Sequence, residues 1–168
     1  PAVDALGSAT VICSDKTGTL TLNKMTVTHI AVNGDFESAK TTSIQDAAKQ
    51  HPKVYEELVC AAALCNDASL DPDREGEIIG DPTEGALIHM AQAFGIDHET
   101  LEEEYPRVFE QPFDSDRKRM TTVHRMKNRW TAYTKGAVDE MLPLCTHILT
   151  SEGVRPVTET DRANIMKL

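Results

Sequence analysis

Apolar positions along the chain fall into short β-branched runs in some stretches and into helical spacing in others, and the alternation divides the sequence into elements. Ala9-Thr10-Val11-Ile12 predicts a strand over 9–14, preceded by a short helix at Pro1 to Leu6, where proline fits a first turn. Met25 to Val32 is rich in β-branched residues, Asn33-Gly34 is a turn signal and Asp35 to Glu37 begins a return, which together predict a hairpin at 25–38. Residues 38–43 are polar and read as loop. From Pro52 to about Asn66, Val54, Leu58, Val59, Ala62 and Cys65 recur at intervals of three and four, predicting a helix, and the acidic stretch Asp67 to Glu77 reads as loop. A second helix opens at Asp81-Pro82-Thr83-Glu84: Asp81 caps it, Pro82 takes the first turn, Glu84 can reach back as in a capping box, and Gly95 ends it. Beyond Tyr105 the pattern turns to strands at 105–113, 119–126 and 129–134, with Lys127-Asn128 as a tight turn. Gly136 opens a helix to about Leu142, a last hairpin spans 147–150 and 154–157, and Thr158 begins a terminal helix. Antiparallel neighbours with helices between them predict an α+β fold, an antiparallel β-sheet flanked by helices.

Composition narrows the setting. A chain of 168 residues suffices for one domain with a sizeable core, or one domain plus a piece of another. No apolar run approaches the roughly 20 residues that cross a bilayer, and no N-terminal signal pattern is present, so the chain is expected not to be membrane-inserted. Cys13, Cys60, Cys65 and Cys145 lack metal-site spacing and read as reduced thiols of a cytosolic compartment. The net charge of -10 disfavours nucleic acid or a membrane surface as partner. That charge is uneven: residues 107–135 hold eight basic and three acidic residues, a local excess of five positive charges. An acidic protein that receives a polyanion needs such a field, although a solvated strand face carries similar charge.

The candidate chemistry begins with Cys13-Ser14-Asp15-Lys16-Thr17-Gly18-Thr19-Leu20-Thr21. A carboxylate at the carboxyl end of a strand that opens into a glycine-containing loop can attack a phosphoryl group. Lys16, the amides around Gly18 and the hydroxyls of Thr17, Thr19 and Thr21 then surround the oxygens that gain charge. The run from Asp15 to Thr21 resembles the phosphorylation signature of P-type ATPases, and Cys13-Ser14 is similar to their cation-pumping, calcium-pump-like branch. Seven specified positions in a row outweigh a plain strand and turn.

Three later stretches resemble, in order, the nucleotide-binding domain of that family: Gly80-Asp81-Pro82-Thr83-Glu84, the run from Pro112 to Met120, and Lys135-Gly136-Ala137. On residue chemistry, Phe113 offers a face on which adenine can stack or is an ordinary core aromatic. Lys118 can follow phosphate oxygens on its flexible stem or simply face solvent. Lys135 closes a strand beside Gly136, whose missing Cβ permits a ligand's close approach. The resemblance implies that Glu84 accepts from the adenine amino group and that Lys135 floors the adenine site. Ser115 stands where calcium-pump relatives carry a phosphate-contacting arginine, which implies weak, adenine-dominated binding unless Arg117 or Arg119 substitutes.

The resemblance further implies two parts, a phosphorylation-domain segment over 1–24 and a nucleotide-binding domain over 25–168. The whole would be an ATP-hydrolysing cation transporter whose cytoplasmic region this is, partnered by further phosphorylation, actuator and transmembrane domains. ATP would phosphorylate Asp15, with Mg²⁺ held by Asp15 and the Thr17 carbonyl and charge neutralised by Lys16. Thr17 occupies the position at which related haloacid dehalogenase phosphatases carry a second, proton-transferring Asp, so the phosphoenzyme should persist. The isolated chain is expected to bind nucleotide without turning it over. Rival readings are a small phosphatase using Asp15 and a non-catalytic interaction module. The transported ion and the oligomeric state are not written in these residues.

Overall fold

The computed structural model describes residues 21–22, 24–32, 35–38 and 41–168. The expected helix at 1–6, strand at 9–14, phosphorylation loop and Asn33-Gly34 turn lie outside the described residues. The hairpin predicted at 25–38 is present but shorter: β1 (His29–Val32) pairs antiparallel with β2 (Asp35–Ser38), Val32 opposite Asp35, and residues 24–28 carry no regular structure. Where 38–43 reads as loop, a helix α1 (Thr41–Gln50) already begins at Thr41.

The helix α2 (Pro52–Leu64) is the hub of the molecule. Its threefold and fourfold spacing buries Val54, Tyr55, Val59, Ala63 and Leu64, and those residues serve three neighbours in turn. Near its start, Val54 and Tyr55 pack with Ile30, Val32 and Ile44, joining the hairpin and α1, while Phe94 stacks on Tyr55 at 6.0 Å between ring centroids. In the middle, Val59 and Ala63 meet Ala91 of a second helix, α3 (Pro82–Ala93). At its end, Leu64 and Cys65 meet Met120 and Tyr133 of the main sheet.

That sheet has the order β5-β6-β7, all antiparallel, with β5 (Arg107–Asp114), β6 (Arg119–Met126) and β7 (Arg129–Gly136). Before it come the two-residue ladder of β3 (Ser69–Leu70) with β4 (Ile78–Ile79), inside and beside the acidic loop, and a short helix α4 (His98–Glu104) capped by Asp97. On β6, Met120, Thr122 and His124 alternate inward, and two of them are polar for a reason. The carbonyl of Leu64 at the end of α2 has no helical partner; Thr122 Oγ1 donates to it at 3.2 Å, and His124 Nε2 lies 3.1 Å away. The chain then forms α5 (Val138–Met141), a 3₁₀ turn at Leu142–Leu144, the hairpin of β8 (His147–Thr150) with β9 (Gly153–Pro156), and α6 (Glu159–Ile165). Thr158 and Asp161 close a capping box on α6. The fold is α+β, antiparallel sheets flanked by helices, as the sequence predicts. Within the described residues no helix is long and apolar enough to cross a membrane.

Candidate functional site

The start of α3 is built residue by residue from Gly80-Asp81-Pro82-Thr83-Glu84. Gly80 adopts φ +122, and a Cβ there would stand 2.9 Å from the Cα of Ala68, so the loop closes only with glycine. Asp81 Oδ1 accepts from the amides of Thr83 at 2.8 Å and Glu84 at 3.3 Å, satisfying two open donors of the first turn. The Thr83 amide, more than any other group, holds the Asp81 carboxyl below its ordinary value. Pro82 occupies the first helical turn, where its missing N–H costs nothing.

Glu84 does not complete the capping box that its position suggests. Its carboxylate turns away from its own helix instead. Its Oε1 lies 2.5 Å from Lys135 Nζ on β7, and its Oε2 accepts from the Asp67 amide at 3.0 Å. The two side chains are largely covered, at 17% and 27% exposure. A carboxylate oxygen has two lone pairs, so each oxygen of Glu84 retains one acceptor site.

Behind this pair stands a residue that sequence reading passed over. Asn66 is 1% exposed and spends its whole amide on backbone: Nδ2 donates to Ala62 O at 3.2 Å and Glu84 O at 3.0 Å, and Oδ1 accepts from Ala68 N at 2.9 Å. It therefore ties the end of α2, the loop after it and the first turn of α3 into one unit. Arg107 clamps the same corner from β5, donating to the Asn66 carbonyl and to Asp67 Oδ1 at 2.6 Å, with Glu110 at 3.0 Å. The signal available was the polar Asn66-Asp67 pair directly after an apolar helix.

Register across the main sheet gathers the remaining candidates. Asp114 lies opposite Arg119, and Arg119 opposite Gly136, so Phe113, Lys118 and Lys135 are each one residue from a single line across three strands. Strands about 4.8 Å apart set Phe113 and Lys135 roughly 10 Å apart along that line. Lys135 is paired in register with inward-facing Met120, which sends it to the helix-covered face where Glu84 waits. Phe113 is 64% exposed on edge strand β5, so it is no core aromatic. Pro112 beside it fits an edge strand with an irregular register. Ser115 is exposed in the turn between β5 and β6.

That turn fixes Lys118. Asp114 Oδ1 accepts from Asp116 N at 3.0 Å and Arg117 N at 2.8 Å, and Lys118, at φ +50, donates its amide to Asp114 O at 2.7 Å. Gly136 is needed here, and for a different neighbour than expected: a Cβ would meet the Lys118 carbonyl oxygen at 2.5 Å and Arg119 Cβ at 2.7 Å. The close approach at Gly136 is that of the chain's own turn, sealed by Ala137 N donating to Lys118 O at 3.1 Å. Arg117 and Arg119 donate to each other's carbonyls at 3.2 Å.

The basic window is therefore less positive than its composition. Arg107, Lys118 and Lys135 each face a carboxylate. Asp15, Lys16 and Thr17 lie outside the described residues, and among the described residues no group of three or more His, Cys, Asp or Glu side chains could hold a metal ion. Cys60, Cys65 and Cys145 are free thiols.

Comparison with known proteins adds the family. Residues 54–168 match the family model described as P-type ATPase, cytoplasmic domain N. The chain is 43% identical over 167 residues to Calcium-transporting ATPase 1 of Bacillus cereus, covering 99% of this chain and 18% of that protein. It is 39% identical over 158 residues to Calcium-transporting ATPase 1 of Lactococcus lactis, covering 94% and 17%. It is 39% identical over 181 aligned positions to Cation-transporting ATPase pma1 of Synechocystis, covering 98% and 20%. The chain thus spans about a fifth of the length of the curated relatives it matches.

Proposed function

The chain belongs to the P-type ATPases, residues 54–168 corresponding to their cytoplasmic domain N, and from that premise we propose that it is the ATP-binding part of a cation-transporting pump. The observation that carries this reading is the Lys135–Glu84 pair at 2.5 Å, set at the end of the sheet where Phe113 and Lys118 also converge. An acceptor and a donor side by side match the edge of adenine, which offers an amino donor next to a ring-nitrogen acceptor. Guanine presents the reverse order there. Glu84 is therefore the acceptor for the adenine amino group and Lys135 the donor at its floor. Phe113 supplies an exposed face for stacking, worth about 1–3 kcal/mol per base in comparable sites. Lys118, with Ser115 in the same turn, faces the phosphates, and Gly136 acts indirectly by seating that turn.

In the intact pump the Asp15 carboxylate attacks the γ-phosphorus in line; a carboxylate oxygen–phosphorus bond forms as the bond to ADP breaks, and ADP leaves. Lys16 offsets the charge. Magnesium, where it accompanies the nucleotide, neutralises phosphate charge, and Asp15 and the Thr17 carbonyl are its proposed protein donors. Residues 1–24 then belong to the phosphorylation domain and 25–168 to the nucleotide-binding domain of a cytoplasmic region. The relatives' names point to calcium or another cation as cargo.

The test is a titration of labelled chain with ATP, ADP, AMP and GTP followed by NMR. Shifts centred on Glu84, Phe113, Lys118 and Lys135, stronger for adenine than guanine nucleotides, are expected; their absence refutes the site. Sustained ATP hydrolysis abolished by Asp15→Asn would overturn the view that this chain alone binds without turnover.

A further inference from the structure

The geometry points to Glu140 as the residue that sets how strongly the site grips the phosphate end of its nucleotide, by competing for Lys118. The inference rests on the reading of Lys118 as phosphate-facing. Lys118 has little freedom at its root: its amide is bound to Asp114, its carbonyl to Ala137, and its backbone is pressed against Gly136. From that fixed root the ammonium reaches Glu140 Oε1 on α5 at 3.3 Å. Glu140 is fixed in turn, its amide donating to the Ala137 carbonyl at 3.1 Å within the helix that follows Gly136. Ala137, bonded both to the Lys118 carbonyl and to the Glu140 amide, therefore sets this carboxylate beside the lysine proposed for phosphate.

The two lysines of the site are held differently. Lys135 and Glu84 are mostly covered, and Glu84 has a second tie to the Asp67 amide. Lys118 and Glu140 are 50% and 40% exposed, an ion pair open to water and to exchange. A pair of this kind is weak, equivalent to no more than about a five-fold equilibrium preference. A phosphate group can displace Glu140, but the carboxylate stays nearby and repels it. Asp114, Asp116 and Asp139 add negative charge around the same turn, while Arg117 and Arg119 turn toward each other's carbonyls. Added phosphates accordingly gain little, and ATP and AMP bind with similar affinity. Glu140 is a positioning residue acting through Lys118.

The experiment measures ATP and AMP affinities by calorimetry for the chain, Glu140→Gln, Lys118→Ala and the double variant, at low and moderate salt. Glu140→Gln keeps the size of the side chain and sits at a half-exposed position, so the fold persists. ATP should bind about five-fold tighter to Glu140→Gln, with AMP changed by less than about two-fold and a steeper salt dependence for ATP. Adding Lys118→Ala should erase that gain. An unchanged ratio of ATP to AMP affinity in Glu140→Gln overturns the inference, and so does a gain that survives loss of Lys118. Failure of the underlying nucleotide reading has a separate signature, absence of AMP binding in every variant, and it removes this inference with it.

Discussion

Asn66→Ala isolates the scaffold of the site from its contact residues. Asn66 is 1% exposed and makes three hydrogen bonds to backbone, one of them to the carbonyl of Glu84 and none to its carboxylate. Truncation removes those bonds, each worth about 0.5–1.5 kcal/mol net. The Ala68 amide, on a residue 1% exposed, loses its acceptor, and an unsatisfied buried donor costs about 1–3 kcal/mol. Glu84 O lies inside α3 and loses only a supplementary donor, whereas Ala62 O belongs to the last turn of α2, where carbonyls lack helical donors; with these terms partly overlapping, the total is about 3 kcal/mol. At about 2–4 °C per kcal/mol for a domain of this size, the melting temperature should fall by roughly 6–12 °C. Urea denaturation gives the free energy directly, provided the slope with denaturant is unchanged. Because Asn66 also holds the first turn of α3, adenosine affinity should fall below the unfolding range while Lys135 and Phe113 are intact. A loss under about 1 kcal/mol, or unaltered adenosine binding, would refute the role assigned to Asn66.

Gly136→Ala places a Cβ 2.5 Å from a backbone oxygen, an obstruction no rotamer relieves, and should cost about 1–3 kcal/mol in denaturant melts; it should also displace Lys118 and change ATP binding more than AMP binding. Asp81 has a carboxyl held below its ordinary value of 3.8 chiefly by the Thr83 amide, so its charge stabilises the fold above that value, and the contribution is lost as pH falls through the lower folded-state value. Asparagine can keep the cap without the charge, so Asp81→Asn should be less stable than the parent at pH 7 by under about 1 kcal/mol, given solvent screening, and the two should converge in thermal melts as the pH falls through the lowered folded-state value.

The legible parts of this fold are those whose cause is local. β6 alternates between covered and more exposed positions, Asp81-Pro82 and Thr158-x-x-Asp161 carry their caps, and Gly95 ends α3 at φ +76. The helix α4 has a run of glutamates and no apolar stripe to announce it; its signal is the Asp97 cap, whose Oδ2 accepts from the Thr100 amide at 3.0 Å. α1 is equally unannounced, because Thr41 and Thr42 open it with weak helix formers. At the site, residue types were readable and partners were not. Glu84 meets Lys135 across 51 positions, and Gly136 serves a turn that closes 18 positions earlier. Local rules place the Glu84 carboxylate at its own helix terminus, but in the fold it goes to a distant cation and to the Asp67 amide. Such competition between near and far partners is decided only when the sheet register is known.

The cations of this acidic chain differ in how firmly its own carboxylates hold them. With a net charge of -10, lysines and arginines find carboxylates of the same chain before any ligand arrives. The outcome depends on cover. Arg107, 22% exposed and held by Asp67, Glu110 and the Asn66 carbonyl, is a structural clamp, because removing one partner strands a covered charge. Lys135 is covered to a similar degree, yet it faces one carboxylate whose oxygens keep free lone pairs, so a ligand edge can add to the pair without breaking it. Lys118, half exposed, can be taken from Glu140 by any stronger anion. The three cations thus run from covered and permanently paired to half exposed and exchangeable, at 22%, 27% and 50% exposure. Only the Lys118 pair is open enough to exchange its carboxylate for the phosphate of the proposed nucleotide.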